Sequence, residues 1–253
     1  PKEGNPPPRI AETPSGMLNT IGLQNEGLEA FIKKALPFLA EYKVPVIVNI
    51  AGEKIEDYAE LAKRLSKETI VKALEVNISC PNVKLGGMAF GIDCEATSEV
   101  IKAVKKAAKL PIIAKLTPNV TDIAAIAKAA EKAGADAISL INTVLGMAID
   151  INTQKPKISM GVGGLSGPAI KPIGVRMVYE VSKAVNIPVI GIGGIMTAED
   201  AIEYLLAGAS AIQVGTGNFV DPEAPLKIIE GIEAYLTSKK ASNLKSIVGK
   251  AAA

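Results

Sequence analysis

An α/β fold of the (β/α)8 (TIM) barrel class is predicted by three features of the sequence. Short runs rich in Val and Ile recur, amphipathic Ala/Lys/Glu stretches separate them, and the last two runs end in glycine-rich turns. The apolar runs are Val44–Ile50, Ala73–Ser79, Pro111–Leu116, Ala137–Asn142, Pro188–Ile192 and Ala211–Gly215. Most are nearly continuous in apolar residues, as parallel strands covered on both faces require. Between them the helical period places helices over Ile55–Leu65, Glu95–Ala108, Asp122–Ala133, Ile173–Ala184, Ala198–Ala207 and Pro225–Leu236. Asp93, Thr121 and Thr197 stand where N-caps belong.

Six strands suit either an open doubly wound sheet or most of a barrel. The turns Gly193-Gly194-Ile195 and Gly215-Thr216-Gly217 favour the barrel, because barrels hold a phosphate on backbone amides after strands seven and eight. The six runs are then strands three to eight. Two further strands, roughly 50 residues by the βαβ repeat, are expected before Pro1. The opening Pro-Lys-Glu-Gly-Asn-Pro-Pro-Pro, which has no initiator Met, agrees with a chain that begins within a loop. Residues 1–253 are read as one barrel domain, incomplete at its N-terminus.

Composition narrows the chemistry. With 28 basic against 26 acidic residues, interleaved, no nucleic-acid footprint is expected, and 4% aromatic residues offer no stacking platform. No apolar run reaches the length of a membrane span. The sequence contains 0 His, which excludes Ser-His-Asp and Cys-His catalysis and any His-ligated metal in this chain. Two cysteines, Cys80 and Cys94, build neither a zinc nor an iron–sulfur site, so no metal is expected. A reducing cytoplasm is the default compartment.

In a barrel the chemistry sits at the C-terminal strand ends. Those ends carry Asn49, Asn77 to Asn82, Lys115 and Asn142-Thr143, joined by the two glycine turns and the run Gly163 to Pro168. Neutral amides that donate and accept, with one Lys and one Cys, suit a planar polar heterocycle better than a phosphosugar. Each feature also has a plainer reading. An Asn after a strand serves as a turn former, the glycines as tight turns and Lys115 as a solvated strand end. Cys94 reads as a helix-start residue.

The runs Asn77-Ile-Ser-Cys-Pro-Asn82, Asn19-Thr-Ile-Gly-Leu-Gln-Asn25 and Gly146-Met-Ala-Ile-Asp150 make the sequence specific. So do Gly163-Gly-Leu-Ser-Gly-Pro-Ala-Ile-Lys-Pro172 and Gly193-Gly-Ile-Met-Thr-Ala-Glu-Asp200. Together they resemble the catalytic subunits of the class 1B, NAD-dependent dihydroorotate dehydrogenases of pyrimidine biosynthesis, from Glu3 to about Leu236. The sequence differs from that family at Gly91-Ile-Asp-Cys94, where Gly-Thr-Asp-Pro is expected. The family's N-terminal Ala-Ser-Gly-Thr stretch, and a Lys touching flavin and substrate, would fall before Pro1.

The resemblance implies a barrel that binds FMN at its C-terminal face. It implies a dihydroorotate site formed by Asn19, Thr20, Ile21, Gly22, Leu23, Asn77, Asn142 and Thr143. FMN would contact Asn49, Asn77, Lys115, Ile141, Gly167, Gly193, Gly194, Gly215 and Thr216, and Cys80 would be the general base. It further implies a homodimer within a heterotetramer, whose partner electron-transfer subunit carries FAD and a [2Fe–2S] cluster. The other candidate bases are less suited. The charge of Lys115 is wanted at the flavin, Asp93 serves as a cap, and no glutamate stands in the strand-end set. Three other readings stay open: a dihydropyrimidine dehydrogenase-like flavin barrel, a non-redox phosphate-binding isomerase or lyase, and an inactive truncated fragment.

Overall fold

The computed structural model describes residues 1–79, 84–85 and 88–251, the side chains of residues 84–85 and 88–90 excepted. Six parallel strands form its main sheet: β1 (Val46–Ile50), β2 (Val71–Asn77), β3 (Ile112–Leu116), β4 (Ala137–Leu140), β5 (Val189–Ile192) and β6 (Ala211–Gln213). Each overlaps one expected run. The largest displacement is at β2, which starts at Val71, where it pairs with Val46 of β1, and stops at Asn77.

The strands hydrogen-bond in chain order, with no reversal. A doubly wound sheet reverses its order at a switch point, so this alternative is excluded. Right-handed crossovers between strands in steady order bring every connecting helix to one face. Those helices are α1 (Ile55–Leu65), α2 (Cys94–Ala107), α3 (Ile123–Lys132), α4 (Lys171–Ser182), α5 (Ala198–Ala207) and α6 (Ala224–Ser238), and each packs on the next. This is the winding of a (β/α) barrel.

Caps set the helix starts. The Asp93 side chain accepts from the Ala96 amide at 2.8 Å, which makes Cys94 the first residue of α2. At α5, Thr197 accepts from the Asp200 amide and Asp200 accepts from the Thr197 amide, a reciprocal box. Before α3 the cap is Asp122, which accepts from Ala125 at 3.0 Å, and not the expected Thr121. Either residue type can cap, but the helix begins one residue later than the Thr reading required.

The core lies between sheet and helices. Leu74, Val76, Ile112, Leu116, Ile138 and Leu140 meet Tyr58, Val100, Ile101, Val104, Val178 and Val181 there, each almost wholly excluded from solvent. A buried side chain of this size contributes about 1.5–3 kcal/mol by leaving water, so this layer fixes the sheet on which the polar face is built.

A second sheet covers part of the strand-end rim. The hairpin Ile10–Thr13/Gly16–Asn19 pairs antiparallel with Val162–Ser166, which pairs in turn with Val144–Met147. Its last two strands belong to an excursion between β4 and α4 that also forms the small ladder Ile149–Asp150/Lys155–Pro156. None of these strands was expected from the sequence. Among the described residues no helix is long and apolar enough to cross a membrane.

Candidate functional site

The face of the main sheet away from the helices carries a polar cluster. Its centre is Glu75 of β2, 5% exposed, whose carboxylate takes four side-chain donors from four other strands. Ser139 (β4) donates to Oε1 at 2.7 Å and Gln213 (β6) at 2.9 Å. Asn49 (β1) donates to Oε2 at 2.6 Å and Lys115 (β3) at 3.3 Å. Burial alone opposes ionisation of Glu75. The Lys115 ammonium and the bonds from Gln213, Ser139 and Asn49 outweigh it and hold the carboxyl below its ordinary value. Glu75 is the glutamate that the strand-end set lacked.

One level nearer the strand ends, Asn77 of β2 stands opposite Lys115 of β3. Tyr58 of α1 donates its hydroxyl to the Asn77 carbonyl at 2.9 Å, which ties the strand end to the helix behind it. The Asn77 Oδ1 accepts from Asn142 Nδ2 at 3.2 Å and from the Ser79 amide at 3.2 Å. Asn142 Oδ1 accepts from the Thr143 amide at 2.8 Å. With its oxygen so used, the Asn77 side-chain NH2 has no acceptor among the described residues.

These strand ends open onto a cavity of about 480 Å³ whose lining includes Lys115, Ile141, Asn142, Thr143, Gly193, Gly194, Gly215 and Thr216. Asn19 of the N-terminal hairpin and Ile21 just after it close it on the side of the second sheet, with apolar walls from Met17, Ile170, Ile192, Ile195 and Phe219. Apolar walls with a few convergent polar groups are the ordinary make-up of a ligand pocket.

Asn49 is bonded to Glu75, and Asn77 reaches the lining through Asn142. Thr20, Gly22 and Leu23 do not line it. Their loop is held by Asn5, whose amide donates to the Thr20 carbonyl at 2.9 Å and hydroxyl at 3.0 Å. Gly167 supplies a carbonyl that packs beneath Gly194. Cys80 and Asn82 lie outside the described residues.

The glycine turns after β5 and β6 differ in what they require. Gly194 has φ +68°, and a Cβ there would stand 2.7 Å from the Gly167 carbonyl oxygen and 2.9 Å from the Lys171 amide. Glycine is therefore demanded at 194 by the backbone itself, whatever binds. At Gly215 a Cβ would meet nothing within 4 Å. The amides of Gly194 and Thr216 find no acceptor among the described residues, so both remain available to an anion. Tyr204 of α5 supports the first turn, donating its buried hydroxyl to the Gly193 carbonyl at 2.7 Å. Burial, reinforced by Asp200 and Glu203, pushes that hydroxyl's pKa far up, so it stays a donor. Lys171 bonds Asp200 at 2.7 Å and Glu203 at 3.0 Å, joining the starts of α4 and α5 behind the turn.

Glu75, Ser139, Gln213 and Tyr204 were missed by the sequence reading. For Glu75 a signal was present: Glu75, Asn77 and Ser79 alternate within an apolar run, marking one polar face at the strand period. Asn119 was missed as well. It bonds the Thr117 hydroxyl at 3.0 Å and the Thr143 carbonyl at 3.1 Å, and so pins the excursion to the end of β3.

The family model described as dihydroorotate dehydrogenase matches residues 1–236. The chain is 59% identical over 249 residues to the "dihydroorotate dehydrogenase B (NAD(+)), catalytic subunit" of Alkaliphilus metalliredigens, a match covering 98% of this chain and 82% of that protein. The protein of the same name from Bacteroides thetaiotaomicron is 54% identical over 248 residues, covering 98% and 82%. The one from Desulforamulus reducens is 55% identical over 251 residues, covering 99% and 83%. Agreement of this extent runs through sheet, excursion and cavity alike, and by it the chain belongs to the dihydroorotate dehydrogenase family.

Proposed function

We propose that this chain is the catalytic subunit of an NAD-linked dihydroorotate dehydrogenase, a single FMN-binding barrel that oxidises dihydroorotate to orotate in cytoplasmic pyrimidine biosynthesis. The observation that carries the reading is the cavity itself. Lys115 and Asn142 share its wall with two glycine turns whose Gly194 and Thr216 amides have no acceptor among the described residues, and behind Asn142 lies an Asn77 NH2 group likewise without one there. The Gly193-Gly194 and Gly215-Thr216 backbones would hold the phosphate of FMN, and Lys115 would hold its ring. Ile141, Asn49 and Asn77 stand in the same assigned set, and Gly167 underlies the first turn. When bound, FMN supplies the hydride acceptor that the side chains lack.

The reaction removes a proton from C5 and a hydride from C6 of the substrate ring. The side-chain amides of Asn19, Asn77 and Asn142, with Thr143, hold the ring's carbonyl and N–H edges and keep the reacting carbons within attack distance. Ile21 completes the same wall from the loop after the N-terminal hairpin, with Thr20, Gly22 and Leu23 as its backing. Lys115 places a positive charge where negative charge gathers on reduction. Cys80 takes the C5 proton as thiolate, since a free thiol pKa of about 8.5 leaves it within reach at physiological pH. Its neighbour Ser79 donates its hydroxyl to the Lys115 carbonyl at 3.3 Å. A partner subunit with FAD and a [2Fe–2S] cluster would supply the route for electrons to NAD, in a heterotetramer built on a homodimer of this chain.

The test is anaerobic bleaching of the bound flavin. Dihydroorotate should bleach it, whereas dihydrouracil should not. Cys80→Ala should retain FMN yet lose most of the bleaching rate, and Cys80→Ser should keep a remnant that rises with pH. Wild-type bleaching by Cys80→Ala removes Cys80 as the base. A purified protein without flavin absorbance removes the whole reading.

A further inference from the structure

The group at the centre of the ligand-facing side of the sheet has no role in the chemistry just described. Glu75 is buried, ionised and fully bonded, with two donors on each oxygen. Its donors come from β1, β3, β4 and β6, so the carboxylate is fixed from four directions. Lys115 is the one charged side chain bonded to it among the described residues; Asn49, Ser139 and Gln213 are neutral. A lysine ammonium is a point charge on a flexible four-carbon stem, and Glu75 is the group that holds the Lys115 ammonium among the described residues. Its single ion-pair bond to Glu75 leaves the remaining ammonium hydrogens for whatever enters.

Resting on the function proposed above, we infer that Glu75 is a positioning residue: it fixes the Lys115 ammonium at the cavity wall and offsets its charge, and so sets how far the site favours reduced over oxidised flavin. With both groups ionised the pair is neutral, and the ring meets an oriented but balanced cation. With Glu75 neutral the same wall carries a full, mobile positive charge. A pair serving packing alone does not predict this. Buried ion pairs are often replaceable by apolar groups without loss of stability, so stability measurements cannot tell the two apart. The flavin potential does.

The experiment measures the midpoint potential of the FMN-loaded protein for the wild type, Glu75→Gln, Lys115→Met and the double variant. Glu75→Gln should favour reduced flavin about tenfold, the effect of one uncompensated charge in a partly buried site. For a two-electron couple that is a rise of about 30 mV. In the Lys115→Met background the same substitution should change the equilibrium less than about twofold, because Glu75 without its cation takes up a proton and is already neutral. Equal shifts in both backgrounds, or none in either, overturn the inference. Should Glu75→Gln not fold, Gln213→Met strips one donor from Glu75 without touching Lys115. It should move the carboxylate-linked step of the potential's pH profile upward, and an unchanged profile overturns the inference. A wild type that takes up no FMN defeats the functional reading instead. The positioning is then read on the flavin-free chain, where carbon-13 relaxation at Lys115 Cε should show greater mobility in Glu75→Gln. Unchanged relaxation overturns it there.

Discussion

The two sides of the cavity are built by different means. At β1 to β4 the polar groups are side chains: Asn49, Lys115 and Ser139 bond Glu75 at 2.6–3.3 Å, and Asn77 bonds Asn142 at 3.2 Å. At β5 and β6 the groups are main-chain amides, presented by glycines and supported from behind by Tyr204 and by the Lys171–Asp200 pair. Side chains can offer a cation, donors and acceptors in a chosen pattern, as a heterocycle requires. Backbone amides offer donors only, which suits an anion. The division of labour suggests that ring recognition and phosphate recognition can be broken separately.

The largest effect is expected on the side-chain half. Lys115→Met takes the cation from buried Glu75, which must then bind a proton to stay buried, and removing one partner of a buried pair costs about 3–5 kcal/mol. Denaturant titration of the flavin-free protein should show that loss, and flavin reduction by dihydroorotate should fall more than about a hundredfold. A stability within about 1 kcal/mol of wild type would mean that the cluster is not held by charge.

Next in size is Gly194→Ala on the backbone half. Alanine at φ +68° pays roughly 1–2 kcal/mol for the left-handed conformation, and its Cβ meets the Gly167 oxygen at 2.7 Å, so the turn itself must shift. Stability and flavin retention should fall together. Full stability with lost flavin would indicate that the turn is looser than its contacts imply.

These variants bear on how much of the molecule the sequence disclosed. The six strands were legible because each is a compact apolar run followed by a helical period, information local to the chain. Lys115, Asn142 and the glycine turns were legible as strand ends. Glu75, Ser139 and Gln213 were not, because each sits inside a run read as apolar, and their convergence depends on strands far apart in sequence. The second sheet was hidden for a similar reason. It joins Leu18 to Leu165 and Gly163 to Gly146, and its glycine-rich strand lacks the alternation that announces a strand. Asn19 and Ile21 were placed only through the family likeness.

Acid and alkali probe the halves through different groups. Glu75 and Asp200 both have lowered pKa values, so each stabilises the fold above its unfolded value and loses that contribution as pH falls through the folded one. Lys171 is raised above 10.5 by its bonds to Asp200 and Glu203. Its contribution is present below the unfolded value and is lost as pH rises through the folded one. The alkaline decline thus belongs to the turn side. Thermal unfolding followed across acid, neutral and alkaline buffers should show Asp200→Asn with a flatter alkaline limb than wild type. An alkaline limb that keeps its full slope would sever Lys171 from the turn.

The smallest effect on the fold, and the cleanest on the ligand, is expected from Gly215→Ala. Unlike Gly194, this glycine has open space where a Cβ would go, with nothing within 4 Å. Gly215 lines the cavity, so the added methyl group points at what the cavity holds or at solvent. Its neighbour Thr216 carries one of the free amides, and a methyl group beside it keeps an anion from settling close. Stability should therefore stay within about 0.5 kcal/mol of wild type, as for a substitution that disturbs no packing. Affinity for FMN should fall, while riboflavin, which has the ring and no phosphate, should bind as it does to the wild type. Equal weakening of both ligands would place the methyl group against the ring, and unchanged FMN affinity would take the phosphate away from the β6 turn. Since Gly194→Ala disturbs the fold and Gly215→Ala does not, only the latter reads the anion site without also reading the scaffold.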